Sequence, residues 1–517
     1  MFKKSIIILS LVITTVFNLN AQNSIPNKSP FIVKGFHIDL RIQVMTMDAL
    51  KAFALKLSKT GINTIIMEWE GTYPFTKHPL IPNRYAYSRE EVIGFINYCN
   101  FIGVDVIPLQ QSFGHVEYIL RNDRYKDLRE DQKDFSQVCP LQTEQDKALF
   151  TDLYTDLVST HTSKYIHIGG DETYLLGHDE RCRLKAAKEG KSKLYIDYIK
   201  MLCDIVIKLG KTPVLWADIA LKYPDAIKQL PKGTIFIDWN YGWDMNNFGD
   251  HKKLVESGYE IWGAPALRSS PDNYFLTQWE KHFKNIRDFV PAAAGLGYKG
   301  IVMTSWSTSG QYSPVFESEN EMAEEYAIRH VYPLSGFNML VTAYTESITS
   351  TKPLNIEGFI TKYCKEHYGF DADESAKFWH ALKITPYEIR NGKVVSAVRF
   401  SVKQIQDSTK TALETLYKLK PDKNKDEFEH YRLMTGIRLN YLQFQDILQR
   451  VNSPSFTGSM VPEVLQELKN LMINEEVLDM HFTELNKNFL NASEVKTENS
   501  LRAVRVQLLY DRLSRNK

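Results

Sequence analysis

Cysteine is scarce in this 517-residue chain: Cys99, Cys139, Cys182, Cys203 and Cys364 are the full set. The number is odd, no two stand as CxxC and the chain is long, which argues against a disulfide framework, and no zinc-binding spacing is present; the expectation is that they pack as small apolar residues. A charge excess is also missing. Lys and Arg number 63 against 62 Asp and Glu, a net charge of +1. That balance excludes a nucleic-acid binder driven by bulk charge and an acidic disordered chain. No Gly-rich phosphate loop follows the first apolar run, which argues against an open nucleotide-binding sheet. Beyond the N-terminus no apolar stretch is long enough to span a membrane.

What is present describes a globular chain. Apolar residues make up 43% and charged residues 24%, enough to bury sizeable cores. Aromatics reach 12%, which suits stacking on sugars and large cores equally. The length fits two to four domains, or one α/β barrel of ~250 residues with a companion. The N-terminus reads as a secretory signal peptide over residues 1–21. Lys3 and Lys4 give a basic start, residues 5–17 an apolar core, and Ala21 a small cleavage residue. No cysteine follows for a lipid anchor, so the expected mature protein is exported, periplasmic or secreted, from about Gln22.

Eight short apolar runs then alternate with amphipathic stretches. The runs cover 33–40, 63–70, 105–112, 165–173, 212–219, 235–242, 259–267 and 301–307. Near-continuous apolar runs of this kind are strands buried on both faces. Helix patterns lie between them, for example 47–60, 88–102, 144–160 and 193–209, and Thr60-Gly61, Leu209-Gly210 and Ser257-Gly258 read as helix stops. Eight such units predict a (β/α)8 TIM barrel over residues 22–345, with a doubly wound sheet as the alternative. From Pro353 strand-like runs give way to long helical periodicities, which predicts an all-helical C-terminal domain over 353–517.

In such barrels the active site gathers at the C-terminal ends of the strands. Here those ends carry Asp39, Arg41, Glu68, Trp69, Glu70, Gln110, Gln111, His115, Asp171, Glu172, Trp216, Asp218, Asp238, Trp239, Asn240, Tyr241, Arg268, Trp306 and Tyr312. Carboxylates and amides for hydroxyl groups, with indoles for stacking, are what a pyranose requires; the competing role for any one of them is to cap the next helix. The sharpest segment is Tyr165-Ile166-His167-Ile168-Gly169-Gly170-Asp171-Glu172-Thr173. Two adjacent carboxylates repel when both are ionised, so one tends to keep its proton and suits general-acid work.

His167-Ile168-Gly169-Gly170-Asp171-Glu172 resembles the signature of family 20 glycoside hydrolases, the β-N-acetylhexosaminidases. Glu68-Trp69-Glu70-Gly71-Thr72-Tyr73-Pro74-Phe75, Tyr85-Ala86-Tyr87-Ser88, Gln110-Gln111-Ser112-Phe113-Gly114-His115 and Trp306 resemble the hexosaminidase D-like branch. The likeness covers residues 33–330. It implies that the substrate's 2-acetamido oxygen attacks the anomeric carbon, forming an oxazolinium that water opens with retention. It implies Glu172 as general acid/base and Asp171 as the group that orients the acetamido N–H. It gives Tyr241 as donor to the acetamido oxygen and Trp216, Trp239 and Trp306 as the pocket walls. His115 is the histidine beside the acid.

There are departures from the family pattern. Lys34 stands where many members carry a sugar-gripping arginine, for which Arg41 or Arg268 could substitute, and Thr308 stands where many carry a glutamate. Glu70, Glu317 or Tyr312 could then take the 4- and 6-hydroxyls, with Glu70 preferred, and Asp39 joins the sugar-contact set. The choice between GlcNAc and GalNAc stays open. The small domain that often precedes the family's barrel is expected to be missing.

The resemblance implies a glycan partner with terminal N-acetylhexosamine and neither metal nor other cofactor. Three alternatives stand beside this reading: a two-carboxylate retaining glycosidase with Glu70 as nucleophile, a non-catalytic sugar-binding barrel, and a metal hydrolase built on His37 and Asp39.

Overall fold

The computed structural model describes residues 29–243, 247, 249–268, 276–307, 312–314, 325–327, 331–350, 352–384, 389–390, 392–394 and 400–515. The expected leader lies outside the described residues, as do Thr308, Glu317 and the side chain of Tyr312.

Eight parallel strands close on themselves. They are β1 (Val33–Asp39), β2 (Thr64–Glu68), β3 (Asp105–Leu109), β4 (Tyr165–His167), β5 (Thr212–Trp216), β6 (Ile235–Trp239), β7 (Glu260–Ala264) and β8 (Gly300–Ser305). Each pairs with the next, and β8 returns to β1 in register from Val33 against Gly300 to Phe36 against Met303. Side chains alternate across the pleat. Ile66, Ile107, Leu109, Val214, Trp216, Ile237, Trp262 and Val302 fill the barrel. Ile65, Val106, Ile166, Leu215, Phe236, Ile261 and Ile301 face the surrounding helices. Both faces are dry, which is why the runs read as continuous rather than alternating.

Every predicted strand exists, but most stop short of the apolar run. The fourth stops furthest: the run 165–173 holds only three strand residues. At Gly169 and Gly170 the backbone adopts φ of 73° and 93° and turns out of the ladder. A Cβ on Gly169 would lie 2.0 Å from Gln111 Oε1, so glycine is required there by space as well as by conformation. Apolar Ile168 continues the pattern past the point where hydrogen bonding ends. A hairpin of Arg129–Asp131 with Asp134–Val138, absent from the sequence reading, stands over the mouth between β3 and β4.

The helices begin where local chemistry directs. Ser88 and Glu91 form a capping box for Arg89–Phe101, and Thr46 caps Met47–Lys59. Asn338–Ser347 closes the ring: Tyr344 hydroxyl reaches the carbonyls of Gly35 and Ile301, on β1 and β8.

Beyond it lie Ile356–Tyr368, Ala372–Leu382, Val402–Lys418, Lys425–Val451, Val461–Asn486 and Ala492–Ser514, interrupted by a two-residue-strand hairpin of Ile389–Arg390 and Lys393–Val394. These helices return to the barrel in several places, two joints among them. Met45 bridges to Leu490, Asn491 N–H donates to Val44 carbonyl, and Gln43 N–H donates to Glu494. Elsewhere Trp279 of the barrel stacks on Phe337 at 5.7 Å and meets Tyr431 of Lys425–Val451 at 5.4 Å. Among the described residues no helix is long and apolar enough to cross a membrane.

Trp279 is fully buried at the second of these joints. Truncation leaves a cavity between barrel and helices, so Trp279→Ala should cost ~3–5 kcal/mol. The expected result is a clear fall in the urea midpoint followed by far-UV circular dichroism. An unchanged midpoint would mean that the joint carries no stability.

Candidate active site

Five non-glycine residues have positive φ among the described residues, and four of them ring the barrel mouth: Gln43 (57°), Glu70 (46°), His115 (56°) and Glu172 (46°). They follow β1, β2, β3 and β4 in turn. Each such backbone costs of order 1–3 kcal/mol and persists only where its surroundings impose it. Strain collected at one end of a barrel marks the site before any chemistry is assigned.

On the first two loops the charges form one buried knot. Arg41 Nη2 meets Glu68 Oε1 at 2.8 Å and Arg41 Nε meets Glu70 Oε1 at 2.9 Å. His37 Nε2 lies 2.9 Å from the other Glu68 oxygen, and Gln111 Nε2 donates to Glu68 at 3.1 Å. Burial pushes Glu68 up, but Arg41 and His37 outweigh it and hold the carboxyl below its ordinary range. Burial dominates at Glu70, aided by the charges of Glu68 and Asp39 and opposed by Arg41, so its carboxyl titrates well above the ordinary range. The knot therefore holds Glu68 ionised and favours a proton on Glu70.

Several expectations are corrected here. Glu70 does not end β2; it opens the single turn Glu70–Thr72. Asp39 is spent on structure: Oδ1 accepts Arg41 N–H at 2.7 Å, and Oδ2 accepts both Ser307 N–H and hydroxyl at 2.8 Å. Arg268 is buried and bonded to Ser305 Oγ, Gln43 Oε1 and Tyr332 carbonyl, so it braces the rim instead of gripping a sugar. Of the two arginines considered, Arg41 is the one brought among the carboxylates. Lys34 lies at the opposite end of β1. Asp238 and Trp69 face outward, held by Tyr298 and His161 respectively. His37 is bonded to Glu68, and Asp39 to Ser307.

An aromatic bed lies in the mouth. Trp306 is half-buried and sits over His37 at 4.5 Å and Trp216 at 5.8 Å. Trp216 is fully buried and rests on His167 at 4.5 Å, so it is floor beneath the pocket rather than an exposed wall. Trp306 Nε1 donates to Tyr241 hydroxyl at 2.9 Å, and Tyr241 packs on Trp239 at 5.1 Å. Burial raises Tyr241 far above the usual phenol range, so the hydroxyl keeps its proton and can donate it.

Over this bed hang Asp171 and Glu172. His115 Nε2 lies 3.2 Å from Glu172 Oε2 and 3.5 Å from Asp171 Oδ2. Gly114 allows this approach, since a Cβ there would stand 2.6 Å from Asp171 carbonyl. Tyr174 hydroxyl donates to Glu172 Oε1 at 2.8 Å, and Glu172 N–H donates to Asp218 Oδ2 at 3.2 Å. Among the described residues Asp171 Oδ1 is buried without a hydrogen-bond partner. Burial opposes ionisation of Glu172, but the hydrogen bond and charge of His115, with Tyr174, hold its carboxyl below the ordinary value. His115 is driven the other way: burial lowers it, and Asp171 and Glu172 raise it well above the ordinary histidine value. Burial, then the charges of Asp171 and Glu172, push Asp218 up to about 7. Burial pushes nearby Glu117 to about 7 as well.

The structure thus brings Asp171, Glu172 and His115 together and stacks Trp239, Tyr241, Trp216 and Trp306 in one bed. Sequence reasoning missed Tyr174 and Glu117 and left Asp218 without a role. Tyr174 had a signal in its spacing, two residues past Glu172, and Asp218 in its place just after β5. Glu117 had none, since its helical turn is only Glu117–Leu120.

Comparisons with known proteins bear on the same region. The family model described as glycosyl hydrolase family 20, catalytic domain, matches residues 56–352. Hexosaminidase D of Bos taurus is 26% identical over 298 residues, 54% of this chain and 86% of that one. Hexosaminidase D of Homo sapiens is 26% identical over 308 residues, 56% of this chain and 63% of that one. The solved β-N-acetylhexosaminidase from Bacteroides fragilis NCTC 9343 aligns with a TM-score of 0.49 and 17% identity, over 65% of this chain and 70% of that one.

The opposed titrations of His115 and Glu172 have a stability signature. A raised histidine stabilises fully below its ordinary pKa of 6.5 and loses that contribution as pH rises through its folded value. A depressed glutamate stabilises above its ordinary 4.5 and loses that contribution as pH falls through its folded value. Both contributions are present between those two ordinary values. The Tm gap between wild type and His115→Gln should therefore be widest at pH 5–6 and shrink as pH rises through the raised folded value of His115. A gap independent of pH would break the assigned protonation states.

Proposed function

The chain belongs to glycosyl hydrolase family 20, and from that premise we propose that it removes terminal β-linked N-acetylhexosamine by a retaining mechanism assisted by the substrate. The observation that carries the proposal is the buried, unpartnered Asp171 Oδ1 beside a carboxyl held from both sides. A buried carboxylate oxygen without a donor is costly, and an acetamido N–H supplies the donor. With its N–H held, the acetamido oxygen faces the anomeric carbon. Glu172 protonates the departing glycosidic oxygen as the carbonyl oxygen bonds to that carbon, giving an oxazolinium whose charge Asp171 offsets. Tyr241 hydroxyl donates to the acetamido oxygen. Glu172, now a carboxylate, takes a proton from the water that opens the ring, so the anomeric configuration is retained.

The free site keeps its proton on His115, 3.2 Å from Glu172. A bound sugar excludes water and disfavours the ion pair, which favours passing that proton to Glu172 before the bond breaks. Trp306 offers the stacking face, and the Arg41–Glu70 pair beneath it fixes the polar side of the mouth. The basic and then apolar start of the chain, Lys3 to Phe17, supports an exported enzyme acting on glycans outside the cytoplasm.

Asp171→Asn keeps the shape and removes the counter-charge. Its kcat/KM on an aryl β-GlcNAc should fall well beyond tenfold, with a normal circular dichroism spectrum; a smaller loss, under ~1.4 kcal/mol, sinks the acetamido role. Glu172→Gln should lose ~100- to 10,000-fold on poor leaving groups and far less on a dinitrophenyl glycoside. Equal losses on the two would remove Glu172 as the acid. Aryl β-GalNAc, plain glucoside and plain galactoside complete the set. Efficient cleavage of a sugar lacking the acetamido group would favour a two-carboxylate mechanism.

A further inference from the structure

The sequence reading treated the five cysteines as separate packing residues. The structure separates three of them and joins two. Cys139 Sγ and Cys182 Sγ lie 3.4 Å apart, both fully buried. Cys139 follows the hairpin strand Asp134–Val138, and Cys182 lies in the first turn of helix Glu180–Glu189. Between them in sequence lie β4 and the Asp171–Glu172 pair. Glu130 completes the cluster. Its Oε2 accepts the Cys182 thiol at 3.2 Å, and its Oε1 accepts the backbone N–H groups of Gly177, His178 and Asp179 at 3.1, 2.8 and 3.0 Å.

Two uses suit two buried sulfurs and a carboxylate: a cation site or a cross-link. The surroundings favour the cross-link. Glu130 already satisfies three N–H groups with one oxygen. Arg181 Nη2 lies 3.8 Å from Cys139 Sγ, which sets a positive charge where a cation would need none. A metal would also require both thiols to ionise, and contact with Cys139, burial and Glu130 all oppose that at Cys182.

We propose that Cys139 and Cys182 form a disulfide that ties the hairpin over the mouth to helix Glu180–Glu189, where the loop following Glu172 ends. The co-reactant is a disulfide of the oxidised glutathione or oxidised dithiol-protein class. One cysteine thiolate attacks it, forming a mixed disulfide and expelling one thiolate; the second cysteine attacks that bond and expels the other. The balance is two protein thiols and one external disulfide giving one protein disulfide and two external thiols. Closing the bond brings the sulfurs from 3.4 Å to about 2.05 Å. The ends are 43 residues apart, so the bond constrains a long unfolded loop. The mouth gains directly. Gln137 of the same hairpin accepts Leu175 N–H, next to Tyr174, whose hydroxyl holds Glu172.

The test counts thiols and does not depend on the proposed reaction. The full chain, refolded in a glutathione redox buffer and then denatured without reductant, should titrate three thiols, rising to five after reduction. Peptide mapping should find residues 139 and 182 in one linked pair. Reduction of the folded protein should lower Tm by roughly 5 °C, and Cys139→Ser and Cys182→Ser should each remove that sensitivity. Five thiols without reductant, a glutathione adduct on one cysteine alone, or a different linked pair would overturn the proposal. One zinc per chain that protects both thiols from oxidation would overturn it in favour of a metal site.

Discussion

The open end of the barrel depends on one buried guanidinium. Arg41 lies under the rim with Glu68 on one side and Glu70 on the other, and its backbone N–H is taken by Asp39. Three carboxyl groups, Asp39, Glu68 and Glu70, gather around it. Removing a partner from such a knot leaves an uncompensated buried charge, at ~3–5 kcal/mol. The knot also sets shape. Asp39 carries the restraint from β1 to Ser307 beyond β8, and Gln111 carries it from β2 to the loop after β3. Through Gln111 it reaches Gly169, whose missing side chain makes room for that amide and lets the fourth loop swing over the mouth.

Two electrostatic systems therefore meet above the aromatic bed. The Arg41 knot is nearly sealed from water, and it divides its carboxyls into one ionised and one protonated. The group of His115, Asp171, Glu172 and Asp218 is more open and holds its charges in closer balance. The first suits a fixed frame. The second can exchange a proton when a ligand changes its exposure, because His115 lies within 3.2 Å of Glu172 and exclusion of water disfavours their ion pair.

How much of this the sequence carried varies by physical cause. The eight runs were legible because both faces of a closed barrel are dry, and the helix starts because capping residues sit next to apolar periodicity. The end of β4 was not legible: Ile168 is apolar and Gly169-Gly170 reads equally as strand or turn, and only Gln111, brought by β3, decides it. Asp171 and Glu172 stood out through adjacency. Arg268 and Asp39 did not sort correctly, because position at a strand end does not say which way a side chain turns, and Gln43 and Ser307, which claim them, are distant in sequence. The hairpin Arg129–Asp131 with Asp134–Val138 was missed because its strands are short and polar.

The join between Val44–Thr46 and Phe489–Asn491, with Gln43 on Glu494, has a consequence for how the protein is made. The loop that presents Arg41 emerges from the ribosome early, but one of its restraints, Glu494 on Gln43 N–H, comes 451 positions later. During vectorial synthesis the strands can collect and close while this loop still lacks its restraint. That restraint is complete only when helix Ala492–Ser514 has been released and has docked. A chain that ended before Glu494 would lack this restraint on the loop that presents Arg41.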